Sequence, residues 1–478
     1  MNAIDAVPAA FAAMRGCVVG LDRTVPLLDG STRRYVNLDN AATTPPLRAV
    51  METVARFMEW YASVHRGAGF KSQVATRAYE DAREAVAEFV GANAREHVVI
   101  FGKNTTEAVN KLSCRLQLAP DDVVLVSEME HHSNDLPWRV RARVVHIGVD
   151  ALGGLDEDDL DRLLSLHAGC VKLVAVSGGS NVTGHMPDLR RLATKAHAAG
   201  AQIFADCAQL APHRRIAIGR LGDPGHLDYV ALSAHKMYAP FGTGALIGRR
   251  DTFAHGEPEC RGGGTIEFVT LDDVAWAGTP DRDEAGTPNA VGAVALAAAA
   301  RELQRIGMEE VAHHEAMLTA YMLARLGGIA GLRIYGDTDP QHLSRRLGVI
   351  SFNLGSLPHG LVAAILGAEF GIGVRNGCFC AHPYLVRLLG LTEGEARLVR
   401  DRIAAGDRAA IPGMVRASFG CYNTMEDVDA LADALERIAR GAYLGEYDPD
   451  PVSGEYAPRG WSPDLAAHFS LPHGPAIH

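Results

Sequence analysis

Leu232-Ser233-Ala234-His235-Lys236-Met237-Tyr238-Ala239-Pro240-Phe241-Gly242-Thr243-Gly244 is the stretch from which the rest of the chain can be read. The apolar run Tyr229-Val230-Ala231-Leu232 enters it and Ala245-Leu246-Ile247-Gly248 leaves it. A lysine between two short apolar runs, followed by proline and repeated glycine, predicts strand, active loop, strand. Lysine is scarce here: Lys71, Lys103, Lys111, Lys172, Lys195 and Lys236 stand against a combined Lys+Arg of 46. A solvated cation in this chain is usually arginine. A lysine kept in a partly apolar turn calls for a property that arginine lacks, and imine formation with a carbonyl is one. The bland reading is a hairpin lysine with its head in water, so the neighbouring elements have to decide.

Working outward, apolar strands alternate with amphipathic helices. Val123–Val126, Val171–Val176 and Gln202–Ala205 are strand-like, and helices are predicted near 47–61, 72–90, 188–199 and 289–306. Continuously apolar strands alternating with helices predict an α/β fold with a mostly parallel sheet buried on both faces. In such sheets ligands sit beyond the carboxyl ends of the strands, and polar residues gather there. Thr105-Thr106-Glu107 between a strand and a helix reads as a phosphate seat or as a plain helix cap. His131 and His132 after a strand suit a ring stacker, an acid/base group or one satisfied buried histidine. Asp206 at a strand end would hold a cation, with Gln209 near an adjacent ring oxygen, or cap a helix. Asn181 after a Gly-Gly turn suits a ring oxygen, a substrate carboxylate or turn chemistry. Together with Lys236 these groups match pyridoxal 5′-phosphate, which needs a phosphate seat, a ring stacker, a carboxylate for its ring nitrogen and an amine for its aldehyde. No paired spacing such as His-Glu-x-x-His occurs, so no metal site is expected.

Composition bounds the rest. A chain of 478 residues, 47% hydrophobic and 22% charged, is read as two globular domains. A net charge of −11 argues against non-specific nucleic-acid binding. No run is long enough to span a bilayer, and the N-terminus lacks the cationic region of a secretory signal, so a cytoplasmic protein without membrane contact is expected. The eight scattered cysteines read as thiols. The predicted division is an N-terminal arm, 1–33, packing with the small domain; a large domain, 34–300; a small domain, 301–443, carrying an insert at 391–413; and an extension, 444–478. Trp461 and Phe469 are the expected anchors of that extension.

The ordered series Asn37-Leu38-Asp39-Asn40-Ala41-Ala42-Thr43-Thr44, Thr105-Thr106-Glu107, Glu130-His131-His132-Ser133-Asn134, Ser180-Asn181-Val182-Thr183-Gly184, Asp206-Cys207-Ala208-Gln209, Ser233-Ala234-His235-Lys236, Ala285-Gly286-Thr287-Pro288-Asn289, Arg375-Asn376-Gly377-Cys378-Phe379-Cys380-Ala381 and Arg416-Ala417-Ser418 resembles the class V aminotransferase-fold group. Within it the chain looks most like cysteine desulfurases and selenocysteine lyases. The resemblance implies a fold-type I homodimer using pyridoxal 5′-phosphate. It implies that Lys236 carries the cofactor and that His131 stacks on its ring. Asp206 would hold the ring nitrogen and Gln209 the phenolic oxygen. Thr105, Thr106, Ser233 and His235 would form the phosphate seat, with Thr287 reaching the neighbouring subunit's phosphate. Asn181 and Arg416 would bind the substrate carboxylate, with Arg375 as a third substrate-binding residue. Cys380 matches the persulfide-forming cysteine; a neighbouring cation favours a thiolate, and Arg375 is the nearest candidate along the chain. The bland reading of Cys380 is a small hydrophobe, and Cys-x-Cys pairing with Cys378 is a further one. The implied reaction converts L-cysteine to alanine, with a sulfur-acceptor protein downstream. The alternatives are a C–S lyase, a selenocysteine lyase, an aminotransferase, or a non-catalytic partner protein using the insert and tail as its surface.

Overall fold

Burial on both faces is what organises the larger sheet. The computed structural model describes residues 14–471 apart from Arg66, Asp407, Ala409, Ala410 and Pro451. Along Val123–Ser127, Val123 and Leu125 enter one apolar cluster and Val124 and Val126 the other. Each fully buried valine or leucine contributes about 1.5–3 kcal/mol. Helices Phe70–Phe89, Leu189–Ala198 and Ala290–Ile306 cover one face, and Thr105–Arg115 covers the other.

Seven strands lie in the order His97–Gly102, Gly244–Arg249, Tyr229–Ser233, Gln202–Asp206, Val171–Ser177, Val123–Ser127, Arg143–Ile147. Gly244–Arg249 is antiparallel to both its neighbours, and the other neighbouring pairs are parallel. A parallel crossover takes a dozen or more residues and usually a helix. The lysine loop is shorter than that, so its exit strand folds back beside the entry strand. Gly244 is required there, because a Cβ would lie 2.6 Å from both Asn104 Cα and Leu232 O.

The second sheet has the order Leu332–Tyr335, Val349–Leu354, Met414–Ser418, Arg375–Gly377, all antiparallel. Ile334, Ile350, Phe352, Val415 and Ala417 pack into a separate core with helices Met308–Leu326, His359–Phe370 and Met425–Ala439. Before the large sheet, Leu28 N donates to Ala368 O, and Arg15 and Arg34 both reach Asp427. Residues 1–13 of the expected arm lie outside the described residues.

Helix Glu393–Ala404 opens with a capping box between Thr392 and Glu395 and buries none of its residues. The tail forms a hairpin, Tyr447–Pro449 with Tyr456–Pro458. It is tied down by Glu369, which accepts from Leu444 N, Gly445 N and the Tyr447 hydroxyl. The expected anchor Phe469 is 77% exposed and anchors nothing; Trp461 is half-buried. The Glu369 carboxylate takes three donors there, while Tyr443 and Tyr447 pack against the second core.

Candidate active site

Between the two sheets lies a cavity of about 1270 Å³. It is lined by strand-end residues of the large sheet, by Arg375 to Cys380, by Arg416 and by tail residues Ser453 to Tyr456. Lys236 closes the short helical turn Ala234–Lys236 that follows strand Tyr229–Ser233. The segment at 41–44 fixes this loop. The His235 carbonyl accepts from Thr44 N at 3.0 Å and from the hydroxyls of Thr43 and Thr44. The Thr44 hydroxyl oxygen accepts from Tyr238 N, and the Tyr238 hydroxyl oxygen accepts from Cys421 N. Tyr238 itself is left-handed, at φ 63°. The small-residue turn is therefore a place of close backbone approach.

Burial pulls the Lys236 amine down to about 8, against the pull of nearby Asp206, while Arg416 pushes it further down. A lysine in that range gives and takes protons near neutrality. His131 donates nothing through Nδ1, which accepts from Ser133 N at 3.1 Å, so its neutral ring carries the proton on Nε2. Burial, helped by Lys236, lowers it to about 4. The Ser133 hydroxyl lies 2.7 Å from that of Thr106, linking His131 to the start of helix Thr105–Arg115. At the same end Thr105 N and its hydroxyl both meet Ser233 Oγ, at 2.9 and 2.8 Å. His235 completes this corner and is lowered to about 4 by burial and Lys236. Hydroxyls and a helix N-terminus gathered at one end of a cavity suit a phosphate.

Asp206 is buried and its pKa raised, chiefly by burial. The one hydrogen bond to its carboxylate among the described residues is from Ala208 N. Gln209 Nε2 donates to Ala41 O at 2.7 Å, and its Oε1 has no partner among the described residues. A buried carboxylate with one donor and an orphaned amide oxygen on the same cavity are what a cationic ring bearing an N–H and a hydroxyl would satisfy. The donor set thus fits pyridoxal 5′-phosphate. Thr287 is exposed and lies outside the cavity lining.

The cysteine loop is held from several sides. Phe379 and Cys380 are both left-handed, at φ 54° and 56°. Such conformations cost about 1–3 kcal/mol each and persist only where the surroundings impose them. Asn181 Nδ2 donates to Phe379 O at 2.7 Å, His132 N donates to Cys380 O at 2.8 Å, and the Arg416 guanidinium lies over the Phe379 ring at 4.7 Å. Cys380 is exposed at the cavity, and Phe379 is buried. All eight cysteines are free thiols.

Two of the expected substrate-binding residues have partners within the chain. Asn181 reaches the site, but its amide is spent on the loop and its carbonyl accepts from Arg416 Nη1 at 2.9 Å. Arg375 is engaged by Asp39 Oδ2 at 3.1 Å. Lys236 and Arg416 are both held partly in their charged forms by Cys380 nearby. Burial brings the Arg416 guanidinium down to about 10 despite Asp39, and its Nε is unpaired among the described residues. Arg416 lines the cavity, and a guanidinium there suits a carboxylate.

Two supports, Glu130 and Asp39, were not singled out from sequence, and His132, which was, packs against the cysteine loop. Glu130, fully buried, takes Ser127 Oγ, Asn134 Nδ2, and both Ser177 N and Ser177 Oγ, locking two strand ends beneath His131. Burial raises it to about 7. Glu130, like Asp206, is a carboxylate beyond the end of a buried strand. Asp39 pairs with both Arg416 and Arg375. His132 stacks on His382 at 5.0 Å and accepts from His382 N.

The family model for class-V aminotransferases matches residues 36–431. The chain belongs to that family. This class-V aminotransferase-family member is 36% identical to a cysteine desulfurase of Haloferax volcanii over 442 residues, 91% of this chain and 96% of that one. It is 36% identical to a probable cysteine desulfurase of Halalkalibacterium halodurans over 429 residues, covering 87% and 97%. Among solved structures it matches the apo cysteine desulfurase of Thermococcus onnurineus NA1 with a TM-score of 0.74, at 34% identity over 85% of this chain and 95% of the other. It matches the cysteine desulfurase CsdA (S-sulfonic acid) of Escherichia coli with a TM-score of 0.73, at 31% identity over 91% and 99%.

Proposed function

We propose that the protein is a pyridoxal 5′-phosphate-dependent cysteine desulfurase in which Cys380 receives the substrate sulfur. The observation that carries this reading is Cys380 itself: an exposed thiol on a strained loop, clamped over the cavity that holds Lys236 and Arg416.

Lys236 would hold the cofactor through Nζ and Asp206 at the ring nitrogen. His131 would lie on the ring, Gln209 at its oxygen, and Thr105, Thr106, Ser233 and His235 at the phosphate. Thr287, exposed outside the cavity, would serve a partner copy in a homodimer. The bound group supplies an electron sink conjugated with the substrate Cα. Arg416, fixed by Asp39 and Asn181, takes the substrate carboxylate with its free donors. The Lys236 amine, lowered by burial, takes the Cα proton at Nζ. The Cys380 thiolate attacks the substrate sulfur. The carbon–sulfur bond breaks with its electron pair left on the substrate carbon, which takes a proton there; Lys236 Nζ returns the proton to Cα, alanine leaves, and the sulfur stays on Cys380 as a persulfide. An acceptor thiol then collects it from the exposed side. No helix among the described residues is long and apolar enough to cross a membrane, in keeping with a cytoplasmic enzyme.

Product analysis tests the reading. Alanine and sulfide in equal amounts from L-cysteine and a thiol support it. Pyruvate with ammonia would identify a C–S lyase, and an aminated cofactor with a keto acid an aminotransferase.

A further inference from the structure

Of the eight thiols, only Cys378 and Cys380 line the cavity among the described residues. Cys380 is exposed there, and Cys378 is half-buried against the larger core. The reaction proposed above uses one of them.

The turn between the two thiols decides what the second can do. Ala381 N donates to Cys378 O at 3.0 Å, which closes residues 378–381 into a β-turn. Its central residues, Phe379 and Cys380, have φ of 54° and 56°, left-handed at both positions as in type I′ turns. Such turns favour glycine, asparagine or aspartate, and neither residue is one of these. Asn181 and His132 hold the strained turn by the carbonyls of Phe379 and Cys380. Two Cα atoms on either side of one left-handed residue lie about 5.4 Å apart, the mirror image of the same step in an α-helix. A disulfide bridges that span. Burial raises the Cys378 thiol; the Cys380 backbone N–H favours its thiolate, and the charge of Cys380 opposes it. The Cys378 sulfur therefore lies beside Cys380.

We propose that Cys378 is a resolving thiol for the sulfur carried on Cys380. This rests on the desulfurase reading, which puts a persulfide on Cys380. When no acceptor collects the sulfur, Cys378 gives up its thiol proton and its Sγ attacks Cys380 Sγ. A bond forms between the two Sγ atoms. The bond from Cys380 Sγ to the outer sulfur breaks, and its electron pair leaves with the outer sulfur as hydrosulfide, which takes the proton. The two cysteine sulfurs are oxidised to a disulfide and the outer sulfur is reduced to sulfide, so no outside oxidant enters. Attack on the inner sulfur suits the turn. To attack the outer one, Cys378 would have to approach from the side opposite Cys380, and a tether of one residue is too short for that. An external thiol reductant then attacks the exposed Cys380 Sγ, Cys378 leaves as thiolate, and a second thiol frees Cys380.

The test uses the full-length, cofactor-loaded protein with one equivalent of isotopically labelled L-cysteine and no added thiol. Peptide mass spectrometry and a sulfide assay follow it over time. Early samples carry labelled sulfur on the peptide that holds Cys378 and Cys380. Later samples release sulfide in equal amount, and that peptide then lacks its two thiol hydrogens. Cys378→Ser keeps the labelled sulfur, and its sulfide release falls at least about tenfold. Labelled sulfur that stays on the native peptide, or sulfide leaving Cys378→Ser at the native rate, overturns the proposal and leaves the role of Cys380 standing. No alanine and no labelled sulfur from the native chain overturns the desulfurase reading, and the proposal with it. The loss of the thiol hydrogens is read on the native chain, so it decides the matter even if the variant fails to fold.

Discussion

Asn181 Nδ2 donates to the Phe379 carbonyl at 2.7 Å, joining the end of strand Val171–Ser177 to the loop that carries Cys380. Asn181→Ala would leave that carbonyl without its donor, a loss of about 1–3 kcal/mol for a buried group. The expected outcome is a slower alanine yield with cofactor content unchanged and faster alkylation of Cys380 by iodoacetamide. Alkylation at the native rate would show that the bond does not restrain the loop.

Lys236 stands apart from the other lysines because burial brings its amine to about 8. In cofactor-free protein at mildly alkaline pH it should be labelled first by a small aldehyde with cyanoborohydride. Peptide mapping checks this. Labelling of exposed Lys71 ahead of Lys236 would count against the cavity's electrostatics.

Much of this site was legible in the sequence. Lys236, Asp206, His131 and Thr105 occupy the ends of buried strands, where the period of apolar residues already points. The antiparallel strand Gly244–Arg249 was legible as a strand, though its direction follows from loop length. What the sequence could not show was commitment of side chains across long separations. Asn181 and Arg375 look like free ligands until the fold places Phe379 O and Asp39 against them. Glu130 looked like one more residue in a polar run because its partners lie on two strands and a turn.

Glu315, on helix Met308–Leu326, ties the segment at 213–214 to the entry of strand Val349–Leu354. Fully buried, it takes His213, Arg214 and Gly348 N, and those partners hold its carboxyl at about 2 against burial. A carboxylate depressed in the fold stabilises above its unfolded pKa, and that contribution is lost as pH falls from about 4.5 towards 2. Glu315→Gln should therefore cost about 3 kcal/mol near neutrality, with the difference shrinking across that acid window. Denaturant titrations at several pH values measure it; a pH-independent difference would contradict the linkage.

Glu369 ties the tail through three donors, and tail residues Ser453 to Tyr456 line the cavity mouth. Glu369→Ala should expose residues 444–471 to limited proteolysis and raise KM for cysteine more than it lowers kcat. Unchanged proteolysis would show that the hairpin is held by other contacts.

The central claim is that Cys380 takes the sulfur. The most direct measurement is single-turnover mass spectrometry of the cofactor-loaded protein with isotopically labelled L-cysteine and no added thiol. If Cys380 takes the sulfur, one labelled sulfur is found on the peptide containing Cys380, alanine forms in matching amount, and alanine falls by at least about 100-fold for Cys380→Ser. Alanine formed by Cys380→Ser at the native rate, with no labelled sulfur on Cys380 of the native chain, would contradict it.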